Sequence, residues 1–280
     1  MENPAAPLFD RRVWRLHRDR AAGGVEFLHH EVAERLVDRL DLVNRDFPAA
    51  VDLGAGNGAL TRALARRTGS RLIIAAEPAE RLLSVAPPPR VRADPEFLPF
   101  RDASLDLVAS CLVLHWCADL PGALIQIRRA LKPDGLLLAA LLGGNTLVEL
   151  RTALFEAELA EEGGVSPRVS PTVELADAAG LLQRAGFAMP VADSETIAVT
   201  YPDMLALMRD LRGMGETNAL ATRRPYLRRA TLGRAAAIYA ERFANPDGRV
   251  RATFEVLFLT GWAPHPDHAK PPPGPRRRIV

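Results

Sequence analysis

A chain of 280 residues, 48% hydrophobic and 25% charged, carries enough apolar material for one large domain, or one domain with a sizeable insertion. Its net charge of +2 is too small for a nucleic-acid-binding surface, and its positive charge is almost all arginine, Lys132 and Lys270 being the only lysines. The longest apolar run, 136–142, is far too short to cross a bilayer; Cys111 and Cys117 make no disulfide framework; and no apolar leader opens the chain, so bacterial cytoplasm is the expected location.

Residues 1–26 form an N-terminal arm. Its stretch 9–20 is dense in arginine and holds Trp14, His17 and Asp19. It reads either as a lead-in folding over the mouth of a ligand cleft or as a solvated basic arm. Apolar residues at 28, 32, 36 and 40 have helical spacing, and Phe47-Pro48 stops that helix. The apolar run 49–51 then leads into Val51-Asp52-Leu53-Gly54-Ala55-Gly56-Asn57-Gly58, and 59–67 is helical. Strand, glycine turn and helix make a nucleotide-binding βα unit.

Two fingerprints fit this turn. Gly54-x-Gly56-x-x-Ala59 matches the dinucleotide pattern, whereas Asp52-x-Gly54-x-Gly56-x-Gly58 matches the first motif of S-adenosyl-L-methionine (AdoMet) methyltransferases. Asp52 favours the second, because a carboxylate there crowds a pyrophosphate but suits the cationic methionine end of AdoMet. Gly54, Ala55 and Gly56 are then the backbone against the cofactor.

A second buried strand, 71–76, ends at Glu77, where an acid accepts hydrogen bonds from ribose hydroxyls. A short helix, 79–85, and a short strand, 90–93, follow. Asp94-Pro95, with Phe97 nearby, suits an adenine ring and its exocyclic amine, although Asp-Pro also starts ordinary turns. The fourth strand, 104–111, delivers His115 and Trp116 to the carboxyl end of the sheet, where ligands bind. Asp119 caps a helix over 120–131, residues 132–135 turn, and 136–142 is the fifth strand. A helix over 147–160, a loop at 163–171, a helix over 173–185 and a strand at 193–200 complete a core spanning 27–200. Residues 201–249 read as a helical cap inserted before the last core strand, 250–263, whose apolar residues alternate. The remainder, 264–280, is rich in proline and arginine and reads as a flexible tail. The expected fold is α/β and Rossmann-like: a mostly parallel seven-stranded sheet with an antiparallel last strand.

Taken together, Asp52-x-Gly54-x-Gly56-x-Gly58, Glu77, Asp94 with Leu98-Pro99-Phe100, Leu114-His115-Trp116 and Lys132-Pro133-Asp134-Gly135 resemble a class I AdoMet-dependent methyltransferase. A narrower resemblance runs nearly end to end. Phe9-Asp10-Arg11, Gly143-Gly144-x-Thr146-Leu147-x-Glu149-Leu150-Arg151, Ser166-Pro167-x-Val169-Ser170-Pro171, Tyr201-Pro202 and Leu211-Arg212-Gly213-Met214-Gly215-Glu216-x-Asn218 are similar to the fifth assembly factor of respiratory complex I and its alphaproteobacterial relatives. The malonyl-carrier-protein methyltransferase of biotin synthesis is a more distant relative. The first resemblance implies AdoMet as cofactor. The second implies a protein partner, an arginine of the quinone-site subunit of complex I, modified by hydroxylation.

Three functions stay open on the residues: an enzyme acting on that arginine, a carboxyl O-methyltransferase on a carrier protein or small molecule, and an AdoMet-binding assembly chaperone. His115 is the candidate base, with Trp116 and Tyr201 lining the pocket. Arg151 and Arg168 are candidates to clamp a substrate carboxylate. No two-histidine, one-carboxylate spacing for iron is visible, so no metal ligand is assigned.

Overall fold

The computed structural model describes residues 7–265, with 68 and 225 excepted. Five parallel strands form most of a seven-stranded sheet: β1 (Ala49–Leu53), β2 (Leu72–Ala76), β3 (Arg90–Val91), β4 (Leu105–Cys111) and β5 (Leu131–Leu142). β6 (Ala188–Tyr201) and β7 (Val250–Trp262) complete it in the order β3-β2-β1-β4-β5-β7-β6. β7 runs antiparallel to both of its neighbours. Every residue of β4 is buried, as a central strand covered on both faces requires. β6, at the sheet edge, alternates instead between half-buried and exposed positions.

Successive side chains of each strand point to opposite faces, and this alternation divides the core in two. Ala50, Leu107, Leu138 and Val256 face one apolar cluster with α2 (Phe27–Asp38), α3 (Ala59–Arg67) and α6 (Val148–Glu162). Val51, Val108, Leu137 and Leu257 face the other, with α5 (Leu120–Ala130) and α7 (Leu175–Arg184). α4 (Glu80–Val85) follows β2. α8 (Met204–Met214) and α9 (Arg229–Phe243) lie between β6 and β7 in sequence. Leu207, Leu211 and Tyr239 join the first cluster, so these helices share the core of the sheet.

The N-terminal segment forms α1 (Arg11–Arg20), capped by Asp10, whose carboxylate accepts from Val13 N–H at 3.0 Å. Trp14 and Arg18 are buried beneath it, so α1 folds onto the carboxyl ends of the strands. β5 starts five residues earlier than its sequence pattern suggests. Leu131 pairs with Leu105, the register shifts, and pairing resumes at Leu107–Leu136. The turn residues 132–135 are thus taken up as an irregularity within the strand, with Asp134 at φ 58°. Among the described residues no helix is long and apolar enough to cross a membrane. From residue 266 the proline- and arginine-rich tail lies outside the described residues.

Candidate functional site

The turn after β1 stands at the carboxyl edge of the sheet, between β2 and β4. Gly54 has φ +79°, and a Cβ there would lie 2.3 Å from the Val113 side chain. Both the conformation and the close approach demand glycine. Gly54 and Ala55 N–H donate to Ala76 O at 2.8 and 3.0 Å, which ties the turn to β2. Asp52 is buried within β1 and accepts from Thr61 Oγ1 at 2.6 Å through Oδ2. Its Oδ1 is buried without a partner. Burial pushes the Asp52 carboxyl up to about 7 despite the Thr61 bonds.

Glu77 is 0% exposed. Arg18 reaches across from α1 and grips it with both arms of its guanidinium, Nε to Oε1 at 2.9 Å and Nη2 to Oε2 at 2.7 Å. Gly56 N–H and Ala79 N–H donate to the same carboxylate, each at 3.0 Å. Two carboxylate oxygens accept about four hydrogen bonds in total, so this acid is saturated. The sequence expectation of a ribose acceptor meets this crowding: Glu77 can take ribose hydroxyls only if one of these donors yields. Asp94, in its turn, is engaged by Arg11, and Glu96 N–H donates to it at 3.0 Å; both bonds fall on Oδ1. Pro95 is buried behind it.

His115 and Trp116 occupy a 3-10 turn just beyond β4, after Leu112 at φ 50°. Leu142 N–H donates to His115 Nδ1 at 3.5 Å, leaving Nε2 as the protonated nitrogen. Nε2 lies 3.2 Å from Glu216 Oε2, and Trp116 Nε1 donates to both Glu216 oxygens at 3.3 and 3.1 Å. Both nitrogens of His115 are thereby committed. The ring expected to act as a base is held here as a positioning group. Burial pushes Glu216 up, but His115, His29 and Arg18 more than offset this and hold its carboxyl below the usual range.

This trio lines part of a cavity of about 420 Å³. Leu142, Leu147, Leu150, Leu154, Met208 and Leu211 form much of its wall, and Arg168, Arg223 and Arg224 also line it. Arg168 is half of the expected carboxylate clamp, but it pairs with the buried Glu158. Arg151, the other half, donates to Gly144 O and Thr146 O at 3.1 and 3.2 Å; it braces the loop before α6 and is not part of the lining. Tyr201 does not line the cavity either. It ends β6, paired with Val250, and packs in the cluster with Met204 and Tyr239, where burial and Asp210 push its hydroxyl up to about 12. Among the described residues no three His, Cys, Asp or Glu side chains converge on a metal position.

Three residues at the site carry no sequence role: Arg11, Arg18 and Glu216. The arginines were visible as a dense run, and Glu216 as part of a motif, but no local spacing ties them to Asp94, Glu77 or His115.

Residues 51–139, from β1 into β5, match the family model described as a methyltransferase domain. The arginine-hydroxylase NDUFAF5 of Danio rerio, a mitochondrial protein, is 44% identical over 273 residues, which cover 94% of this chain and 85% of that one. A malonyl-[acyl-carrier protein] O-methyltransferase of Xylella fastidiosa (strain M23) is 36% identical over 270 residues, 92% of this chain and 89% of its own. The crystal structure of YcgJ from Bacillus subtilis superposes with a TM-score of 0.59 at 15% identity, covering 85% of this chain and all of that one, and shows the shared fold. Sheet order, glycine turn and domain match together define an enzyme of the Rossmann-like methyltransferase class. Within that class the chain belongs to the NDUFAF5 arginine-hydroxylase family.

Proposed function

We propose that this enzyme binds AdoMet and acts on an arginine side chain of a protein subunit of respiratory complex I, by hydroxylation as its relatives' name describes, in the cytoplasm of a bacterium. The observation that carries the cofactor reading is Asp52 Oδ1, a buried carboxylate oxygen without a partner at the end of β1. A cationic ligand over the glycine turn would supply what it lacks and stabilise its ionised form. The residues present fit AdoMet. Asp52 suits the positively charged methionine end, Gly54, Ala55 and Gly56 the close backbone approach, and Asp94 with Pro95 the adenine, while Glu77 suits the ribose once one of its four present donors yields.

When bound, AdoMet would supply a sulfonium with an activated methyl group; hydroxylating a C–H bond needs in addition dioxygen and a two-electron reductant, with one oxygen atom entering the substrate and the other leaving as water. What the chain's own residues supply is binding, orientation and exclusion of water. Phe9 packs edge-on and Trp14 tilted against Trp116, with ring centroids 5.1 and 6.3 Å away, and so fix the ring that lines the cavity against α1. His115 and Trp116 hold Glu216 in the cavity lining by hydrogen bonds from two ring N–H groups. The apolar cavity wall encloses a long side chain.

A second reading, carboxyl O-methyl transfer to a carrier protein or a small molecule, draws support from the arginines in the cavity lining. Each is already paired, Arg168 with Glu158, Arg223 with Asp10 and Arg224 with Glu162, so a ligand carboxylate would have to share them. A deletion strain separates the readings. Loss of the modification on the quinone-site subunit, read by mass spectrometry, supports the first; an unchanged arginine with a new biotin requirement supports the second.

A further inference from the structure

We propose that Glu216 is the residue that reads the positive charge of the substrate side chain, by accepting a forked hydrogen bond from a guanidinium pushed down the apolar cavity. The inference rests on the arginine-modifying reading and adds the residue that confers its specificity.

The first support is charge balance. Among the described residues lining the cavity, Glu216 is the one acid. The three arginines in the same lining are each matched by a carboxylate, Arg168 by Glu158 at 2.5 Å, Arg224 by Glu162 at 2.7 Å and Arg223 by Asp10 at 3.4 Å. The donors held on Glu216 are the ring N–H groups of Trp116 and of His115. Glu216 is therefore the acid of this lining with no arginine or lysine in contact with it among the described residues. Burying such a charge is costly unless a cation joins it.

The second support is hydrogen-bond capacity. A carboxylate accepts about four bonds and presents its two oxygens side by side. Trp116 Nε1 is shared between both oxygens and His115 Nε2 adds a third contact, so about one acceptor position stays open, on Oε1, and a second opens when Trp116 Nε1 settles on Oε2 alone. A guanidinium offers two parallel N–H groups at the matching spacing, which an ammonium does not.

The third support is the wall. Leu150 and Leu154 of α6, with Met208 and Leu211 of α8, present apolar surface along the approach to Glu216. That surface suits a methylene stem and gives no partner to a polar chain. The anchor also lies beside Trp116, which contacts Trp14 of α1, and Arg18 of α1 stacks over that ring at 5.5 Å. A guanidinium held at Glu216 is thus brought up against the segment that covers the glycine turn.

The test uses the full chain and small probes: Nα-acetyl-arginine methylamide, its citrulline and norleucine counterparts, and malonyl-N-acetylcysteamine, with binding read by NMR titration. The arginine probe is expected to bind at least tenfold more tightly than citrulline or norleucine, and Glu216→Gln to reduce it to the citrulline level. Equal binding of arginine and citrulline by the unaltered protein overturns the proposal with no variant needed, as does an arginine preference that survives in folded Glu216→Gln. Preferential binding of the malonyl probe also overturns it and supports the carboxyl-methylation reading. An unmodified arginine in cells, by contrast, is the outcome that refutes the functional reading itself. An arginine preference lost in Glu216→Gln still stands in that case.

Discussion

Arg18 and Glu77 form a fully buried ion pair across the top of the sheet, side chains 2% and 0% exposed, with one guanidinium spanning both carboxylate oxygens. The pair fastens α1 to the end of β2. It also occupies the acid proposed to take the ribose, and that proposal couples nucleoside binding to the seating of α1 through one carboxylate.

Removing one partner of such a pair leaves the other charge buried and alone. Arg18→Met is expected to cost about 3–5 kcal/mol in urea unfolding. The double change Arg18→Met, Glu77→Leu should recover a large part of that loss. A single-variant cost below about 1 kcal/mol would mean that the pair is hydrated in solution.

Two buried groups give opposing pH dependences. Asp52 holds its proton up to about 7 in the fold against an ordinary 3.8, chiefly through burial. The folded state binds more protons between those values, so this group lowers stability as pH rises through that window. His29 is held down to about 4 from 6.5, again chiefly by desolvation, and adds stability as pH rises over about the same range. The protein as it stands should show a flattened profile. Asp52→Asn should gain stability over it steadily from pH 4 to 7; a constant difference would contradict the assignment.

Gly54 and Gly23 both have positive φ, +79° and +77°, but only at Gly54 would a Cβ meet another side chain. Gly23→Ala should cost about 1–2 kcal/mol from conformation alone. Gly54→Ala should cost clearly more and should also weaken nucleoside binding. Thermal melts and ligand titrations of the two variants isolate the steric part.

Arg151 braces the loop 143–147 by bonds to two carbonyls. Arg151→Ala should lower stability by about 1 kcal/mol and leave the affinity for the arginine probe unchanged. A selective loss of probe binding would return Arg151 to the substrate site.

Much of this architecture was legible because local signals agreed. β7 begins at the residue its sequence range gives and ends one residue short of it, since period-two alternation begins soon after Asn245-Pro246-Asp247-Gly248. The glycine turn was readable because acid, glycines and helix follow one another within a few residues. β5 was misjudged at its start because Lys132-Pro133-Asp134-Gly135 has turn chemistry, while the Leu105–Leu131 pairing is tertiary. The site partners escaped for the same reason. Arg18 stands 59 residues from Glu77, and Glu216 stands 101 residues from His115. Tyr201 lies in the core and not at the cavity, a difference the sequence does not carry, because an aromatic at a strand end looks the same whether it faces a cavity or the core.

Calorimetric titration of the purified protein with AdoMet, alongside Asp52→Ala and an NADH control, bears on everything above. Saturable binding of AdoMet that releases a proton near pH 6.5 and is lost in Asp52→Ala, with no NADH binding, is the predicted result. Binding of NADH, or AdoMet binding untouched by the loss of Asp52, would contradict it.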